Sequence, residues 1–232
     1  MIAHQLEIRY QPFLKFPSEI KDILVPLLRF YASSNFKISN ENTLRERIEI
    51  SFEQLNTVIV ATSTNFIFRS DQDLSDLSAN NSIADSLLFG IIDKMSSIES
   101  FTGFKNMFHY SLFNLGANDE NYNDDFLKSK IFSPGFSDNS SDLVDFSAVV
   151  KTPYKDGSFQ MSIGPFKGMS DLNERNVDLL DSNKLDLAMD PSGYLLEMKS
   201  IFPISEFNFS MYKAENNFIE SKVAELWTFI KS

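Results

Sequence analysis

The hydrophobic pattern is plainest near the C-terminal end of the chain. Ile219, Val223, Leu226 and Ile230 recur at intervals of four, three and four residues, and Phe218 and Trp227 widen the stripe. This spacing predicts an α-helix within 205–232 that has one apolar side. Glu215, Glu220, Ser221, Lys222, Glu225 and Lys231 are assigned to its polar faces. Such a helix must bury its stripe, and the chain ahead of it offers a succession of alternating strands.

Leu6, Ile8 and Tyr10 alternate with Glu7 and Arg9, giving a half-buried strand that stops at Pro12. Pro17 suits the first position of a helix. Ile20, Ile23, Leu24, Leu27, Leu28 and Tyr31 follow at helical spacing, with a kink expected at Pro26. Leu44, Ile48, Ile50 and Phe52 share one strand face; Arg45, Arg47, Glu49 and Ser51 share the other. The stretch from Thr57 to Arg69 reads as one interior strand. Val58, Val60, Phe66 and Phe68 have one parity there, and Ile59, Ala61 and Ile67 the other. Ser82 and Asp85 open a helix whose inner face is Ile83, Leu87, Ile91, Met95 and Ile98. Met107 to Leu115 is a strand with Phe108, Tyr110 and Leu112 on one side.

The resulting order over 1–116, β-α-β-β-α-β, is that of the ferredoxin-like split β-α-β pattern. Residues 117–141 form a polar, acidic loop or linker, and the pattern resumes over 142–232 as an antiparallel meander closed by the last helix. Its strands are centred on Val144 to Val150, Phe159 to Ile163, Leu185 to Met189 and Tyr194 to Met198. Turns are expected at Lys155-Asp156-Gly157-Ser158 and Asp190-Pro191-Ser192-Gly193. The predicted fold is thus α+β, in two closely packed halves.

Charge and composition narrow the function. The net charge of −11 disfavours general nucleic-acid binding and anionic membrane surfaces, both of which draw their affinity from Lys and Arg. The chain has no cysteine, which removes disulfides, thiolate nucleophiles and Cys-based metal sites and fits a reducing compartment. With no signal-peptide pattern and no apolar run of about 20 residues, a cytoplasmic location is expected.

Motifs that carry chemistry are few. The two histidines, His4 and His109, fall in separate predicted strands and read as structural. No phosphate-loop or dinucleotide fingerprint occurs. Asp119, Asn121 and Asn123 have the spacing of the first ligands of a calcium loop. Asp124 and Lys130 then stand where that loop needs Gly and Glu. The sharpest pattern is Leu195-Leu196-Glu197-Met198-Lys199, which resembles the metal-binding strand of restriction-endonuclease-like nucleases. Glu197 and Lys199 would share a strand face, and Asp186 and Asp190 would supply a second carboxylate from across a hairpin, with Mg or Mn as the metal. The plain alternative is an exposed Glu-x-Lys on a wet strand face.

Taken whole, the chain resembles a sporadically distributed, functionally uncharacterised prokaryotic protein family. The likeness rests on the opening strand Leu6-Glu7-Ile8-Arg9-Tyr10 and on the closing Gly193-Tyr194-Leu195-Leu196-Glu197-Met198 with the helix Ala214-Glu215-Asn216-Asn217-Phe218-Ile219-Glu220. The family often carries two aspartates where this chain has Glu197 and Lys199, and the resemblance implies no activity. The leading expectation is a non-enzymatic interaction or assembly subunit with no cofactor, working through a protein partner or self-association. The alternatives are the metal-dependent nuclease and a small-ligand-binding α+β module with a pocket between sheet and helix.

Overall fold

The computed structural model describes residues 1–30, 34–117, 119, 121–132, 146–189 and 192–232. The architecture is α+β and rests on one nine-stranded antiparallel sheet. Its strands are β1 (Ala3–Tyr10), β2 (Ser34–Ser39), β3 (Arg47–Phe52), β4 (Thr57–Thr62), β5 (Asn65–Ser70), β6 (Phe104–Leu115), β7 (Ala148–Tyr154), β8 (Gly157–Pro165) and β9 (Tyr194–Pro203). They lie in the order β2-β3-β4-β5-β1-β6-β9-β8-β7. The helices are α1 (Phe16–Phe30), α2 (Leu74–Leu77), α3 (Gly90–Ser96), α4 (Asp124–Ile131), α5 (Met169–Glu174), α6 (Leu185–Met189) and α7 (Phe209–Lys231), with a π-helical turn (Ala84–Phe89) leading into α3. Among the described residues, no helix is long and apolar enough to cross a membrane.

Strand alternation sorts side chains onto two faces. Leu6, Ile8, Ile50, Phe68, Met107 and Met198 are buried on the first face, in a large core shared with Ile20 of α1, Ile91 of α3 and Ile219 of α7. The inner residues ahead of and within α3 recur every four positions, slightly more than one α-helical turn. The wide π turn keeps Leu87 and Ile91, both fully buried, on one side. The second face carries a smaller apolar cluster: Ile2, Ala3, Leu112 and Leu195 from the sheet, and Phe166, Leu172, Val177 and Ala188 from the crossing between β8 and β9.

Several details depart from the sequence reading. Strand β2 has no counterpart in it, and Leu44, expected on a strand face with Ile48, Ile50 and Phe52, lies ahead of β3 and is 53% exposed. The interior strand at 57–69 is two strands, β4 and β5, joined by a turn at Ser63 and Thr64. The turn switches the parity, so Ile59, Ala61, Phe66 and Phe68 all face the first core, while Val60, paired with Ile67, is buried on the opposite face. Leu185 to Met189 is helix α6, not a strand. Asp181 accepts a hydrogen bond from the backbone N–H of Asn183 and starts a helical turn, and Leu-Asp-Leu-Ala-Met has no β-branched residue to resist it. Glu215, placed on a polar face, is fully buried. Within 117–141, residues 124–131 form α4, capped by the Asn123 side chain, with acids in its first turn and lysines in its last. The predicted strand residue Val144 and the turn residues Asp190 and Pro191 lie outside the described residues.

The hairpin of β7 and β8 matches its prediction. Lys155 and Asp156 have φ of 46° and 59°, the left-handed pair a two-residue primed turn requires. Gly157 follows because β9 passes so close: a Cβ there would lie 1.9 Å from the Ile201 carbonyl oxygen.

Candidate functional site

A cleft of about 520 Å³ opens on the second face, between the sheet and residues 174–177. Strand register builds its floor. Arg69 of β5, Gln5 of β1, Tyr110 of β6 and Lys199 of β9 are successive cross-strand partners, and the same row continues to Gln160 of β8 and Lys151 of β7. Phe108 and Glu197 stand one pleat away on the same face, and Arg175, Asn176 and Val177 form the wall.

The wall is tied down at several points. Asp71, at the end of β5, accepts hydrogen bonds from the N–H groups of Leu180 and Asp181 at 2.5 and 2.8 Å. Burial raises its pKa, and these two donors offset part of the rise. Lys184 donates to the carbonyl oxygens of Met1 and Asp71, each at 2.5 Å. Arg69 lies 3.7 Å from the Asp178 carboxylate.

Glu197 is buried, not on a wet face, because the crossing from β8 to β9 covers it. Its carboxylate meets Lys199 Nζ at 2.9 Å and Arg175 Nε at 3.8 Å, and Arg175 in turn lies 3.6 Å from Asp171. Carboxylate and cation therefore alternate, Asp171–Arg175–Glu197–Lys199. Lys199 also lies 5.5 Å from the centre of the Tyr110 ring. The Tyr110 hydroxyl is buried beside the Glu197 carboxylate without a well-formed hydrogen bond, and its pKa is raised by burial first and by Glu197 second. Of the residues proposed for a metal site, Glu197 and Lys199 do share a face and a cleft. Asp186 sits on α6, exposed and away from the cleft lining, and Asp190 lies outside the described residues. The hairpin that was to bring these aspartates to Glu197 is replaced by a helix. Among the described residues, no three His, Asp or Glu side chains gather as a metal site would need.

The calcium-loop residues have other partners. Asp119 accepts from the backbone and side-chain nitrogens of Asn121, and Asn123 caps α4. No family model matches the chain, and neither the curated proteins nor the solved structures yield a match.

A second polar cluster lies in the first core beneath α7, where the two predicted strand histidines meet at a ring separation of 4.6 Å. His4 reaches Ser111 Oγ at 3.3 Å and the Tyr212 hydroxyl at 3.0 Å. Both ring nitrogens of His109 are buried without a well-formed hydrogen bond. Burial pushes the pKa of His109 down to about 4 and that of His4 well below its usual value, the latter with a further contribution from His109. The Glu215 carboxylate accepts from Ser200 at 2.6 Å and from Tyr154 and Lys155 at 2.9 Å each. This cluster joins β1, β6, β9 and the β7–β8 turn to α7, and its cation, Lys155, is 41% exposed while Glu215 is fully buried.

Sequence reasoning missed Arg69, Asp71, Tyr110 and Arg175 as site residues. Tyr110 was assigned to the correct strand, but nothing in its alternation says that the covering segment leaves a cleft above it.

Proposed function

We propose that this chain is a binding module for a small polar molecule, held in the cleft on the second face of the sheet. The observation that carries this reading is the buried Tyr110 hydroxyl, which stands beside Glu197 without a well-formed hydrogen bond, in the lining of a 520 Å³ cleft with Gln5, Arg69, Arg175 and Lys199. Small-molecule sites are commonly about 300–1,000 Å³, with a few convergent polar groups over an apolar or aromatic floor. A buried hydroxyl without a well-formed hydrogen bond is costly unless a ligand supplies one. We read the order β6-β1-β5-β4, with α1 and α3, as the ferredoxin-like split β-α-β pattern, widened by β2 and β3. On that reading the cleft uses the sheet face that the pattern's helices leave open.

The test is saturation-transfer NMR on the purified protein with a panel of amino acids, small carboxylates, sugars and nucleotides. At least one compound should bind, and Tyr110→Phe should weaken it by about tenfold, the loss of one well-placed hydrogen bond in a buried site. The melting temperature should not fall, because the hydroxyl has no well-formed hydrogen bond within the protein to lose. Binding unaffected by Tyr110→Phe, or no binding across the panel, would remove the reading.

A protein-interaction role is the second reading, favoured by Val149 and Val150, which are 57% and 50% exposed on edge strand β7. Register from the two-residue turn directs the backbone groups of Val149, Lys151 and Pro153 outward. Proline has no N–H to offer and lysine is a common edge guard, so a partner would use the side chains more than strand addition. A native mass equal to the monomer, unchanged in Val149→Ser/Val150→Ser, together with no captured partner, would exclude it.

A further inference from the structure

Resting on that cleft reading, we infer that the ligand is a mononucleotide: a planar base over Phe108 and Tyr110, with its phosphate taken by Arg69 and Arg175. Three independent features of the cleft lead to this class.

The first is aromatic. Phe108 and Tyr110 occupy alternate positions of β6 and both line the cleft, so two aromatic residues share one face of a central strand, with Lys199 Nζ 5.5 Å from the centre of the Tyr110 ring. Such pairs are stacking platforms for flat heterocycles, and each base so stacked gains substantially whatever its identity.

The second is charge. The chain carries −11, yet the strand positions of this face are basic on balance. Each of their carboxylates has a cation two residues away: Glu7 with Arg9 at 2.7 Å, Glu49 with Arg47 at 2.9 Å and Glu197 with Lys199 at 2.9 Å. On the strands Lys37, Arg69 and Lys151 remain in excess; in the cleft itself the wall adds Arg175 and Glu174 and the rim adds Asp71, so Arg69, Arg175 and Lys199 face Asp71, Glu174 and Glu197. Each of the two arginines of the cleft holds a backbone carbonyl and sits at longer range from its carboxylates. Arg69 donates to the Asp178 carbonyl oxygen at 3.3 Å and lies 3.7 Å from that residue's carboxylate; Arg175 donates to the Asp171 carbonyl oxygen at 3.0 Å and lies 3.6 Å from the Asp171 carboxylate and 3.8 Å from Glu197. A guanidinium has five N–H donors, so each keeps donors beyond these bonds, and its planar fork suits a phosphate.

The third is polar readout. No hydrogen bond ties the side-chain amides of Gln5 and Asn176 to another described residue, and the Tyr110 hydroxyl makes no well-formed hydrogen bond. Amides and a hydroxyl can both donate and accept, which matches the mixed edge of a nucleobase. The floor from Arg69 to Lys199 crosses three strand spacings, roughly 14 Å, about the span of one nucleotide with its phosphate. The segment covering Leu112 and Leu195 closes one end of this face, and the overall negative charge repels a long polyanion. Both point to a single nucleotide rather than a nucleic-acid strand.

The experiment is isothermal titration of the full chain with AMP, GMP, CMP and UMP, with the matching nucleosides, with inorganic phosphate and with ten-residue oligoribonucleotides. At least one mononucleotide should bind, and its nucleoside should bind about tenfold or more weakly for want of charge-assisted phosphate contacts. Arg69→Gln and Arg175→Gln should each weaken the nucleotide by a similar factor and leave the nucleoside unchanged. Phe108→Leu should weaken nucleotide and nucleoside alike. Arg69→Lys and Arg175→Lys keep the charge and guard against a folding defect; they should retain the melting temperature and part of the nucleotide affinity. If no mononucleotide binds while another small molecule binds in a Tyr110-dependent way, the ligand class is wrong and the cleft reading stands. If an oligonucleotide binds more tightly than every mononucleotide, the face is a strand-binding track and the inference fails. If nothing in either panel binds, both readings fall.

Discussion

Replacing His109 with leucine tests how the core beneath α7 is held. His109 is fully buried, lies beside Asn216 without a well-formed hydrogen bond at either ring nitrogen, and has its pKa pushed down to about 4 by burial. In the unfolded chain the ring titrates near its ordinary 6.5. Between these values the unfolded state binds the proton and the folded state does not, so acid draws the equilibrium toward unfolding. The stability linked to His109 is complete above pH 6.5 and is lost as pH falls toward 4. At about 1.4 kcal/mol per pH unit, the wild type should lose about 2–3 kcal/mol through this residue between pH 7.5 and 4.5. His4, whose pKa is also lowered, adds to the slope in the same direction. In His109→Leu the slope should fall by about one proton, leaving the His4 part. Near pH 7.5 the variant should be no less stable than the wild type by more than about 1 kcal/mol, since leucine has a comparable size and no orphaned polar atom. Urea melts at fixed ionic strength across this pH range measure both quantities. Parallel pH profiles for wild type and variant would refute the account. So would a loss above 2 kcal/mol at pH 7.5, which would mean that the ring does hold a partner.

Other perturbations test the remaining supports. Ile219→Ala on α7 should cost about 2–5 kcal/mol in a denaturant melt, because the side chain is fully buried. Leu226→Ala and Trp227→Ala, only partly buried, should fall at or below the low end of that range. Lys155→Met removes the cation 2.9 Å from fully buried Glu215, and urea melts should show a loss of about 3 kcal/mol, partly restored by adding Glu215→Gln. Gly157→Ala places a Cβ 1.9 Å from the Ile201 carbonyl oxygen and 2.7 Å from Phe202 Cα, so the β8–β9 pairing should loosen at a cost of about 3 kcal/mol, visible as faster amide exchange in β9.

Local patterns alone located most of the secondary structure. Alternation marked β1, β3, β6, β8 and β9, the four- and three-residue recurrence marked α3 and α7, and the turn residues at Lys155-Asp156-Gly157 marked the β7–β8 hairpin. These patterns are legible because a strand or helix with one buried face must repeat with its own period, whatever it packs against. The α+β class followed from the same source. The parity change that divides β4 from β5 was also present in the sequence, but a turn built from Thr62 to Asn65 has no glycine or proline to announce it. The helix at Leu185 to Met189 was misread because five residues alternate as well as they spiral, and only the burial of Ala188 against the second face decides between the two.

The site depended on tertiary structure throughout. Glu197 and Lys199 share a face by alternation, which the sequence dictates. Whether that face is wet or covered depends on a crossing some 30 residues long in which no strong period appears. Burial of Glu197 comes from that cover, its charge is met by Arg175 from the wall, and Tyr110 is opposed by Gln5 from a strand about 105 residues earlier in the chain. In the same way Glu215 reads as a polar-face residue of an amphipathic helix until Ser200, Tyr154 and Lys155 are brought to it from two other elements. A periodic pattern records which side of an element is apolar. It carries no record of which polar groups from distant strands will converge on the remaining side, and it is this convergence that makes the cleft and the buried cluster.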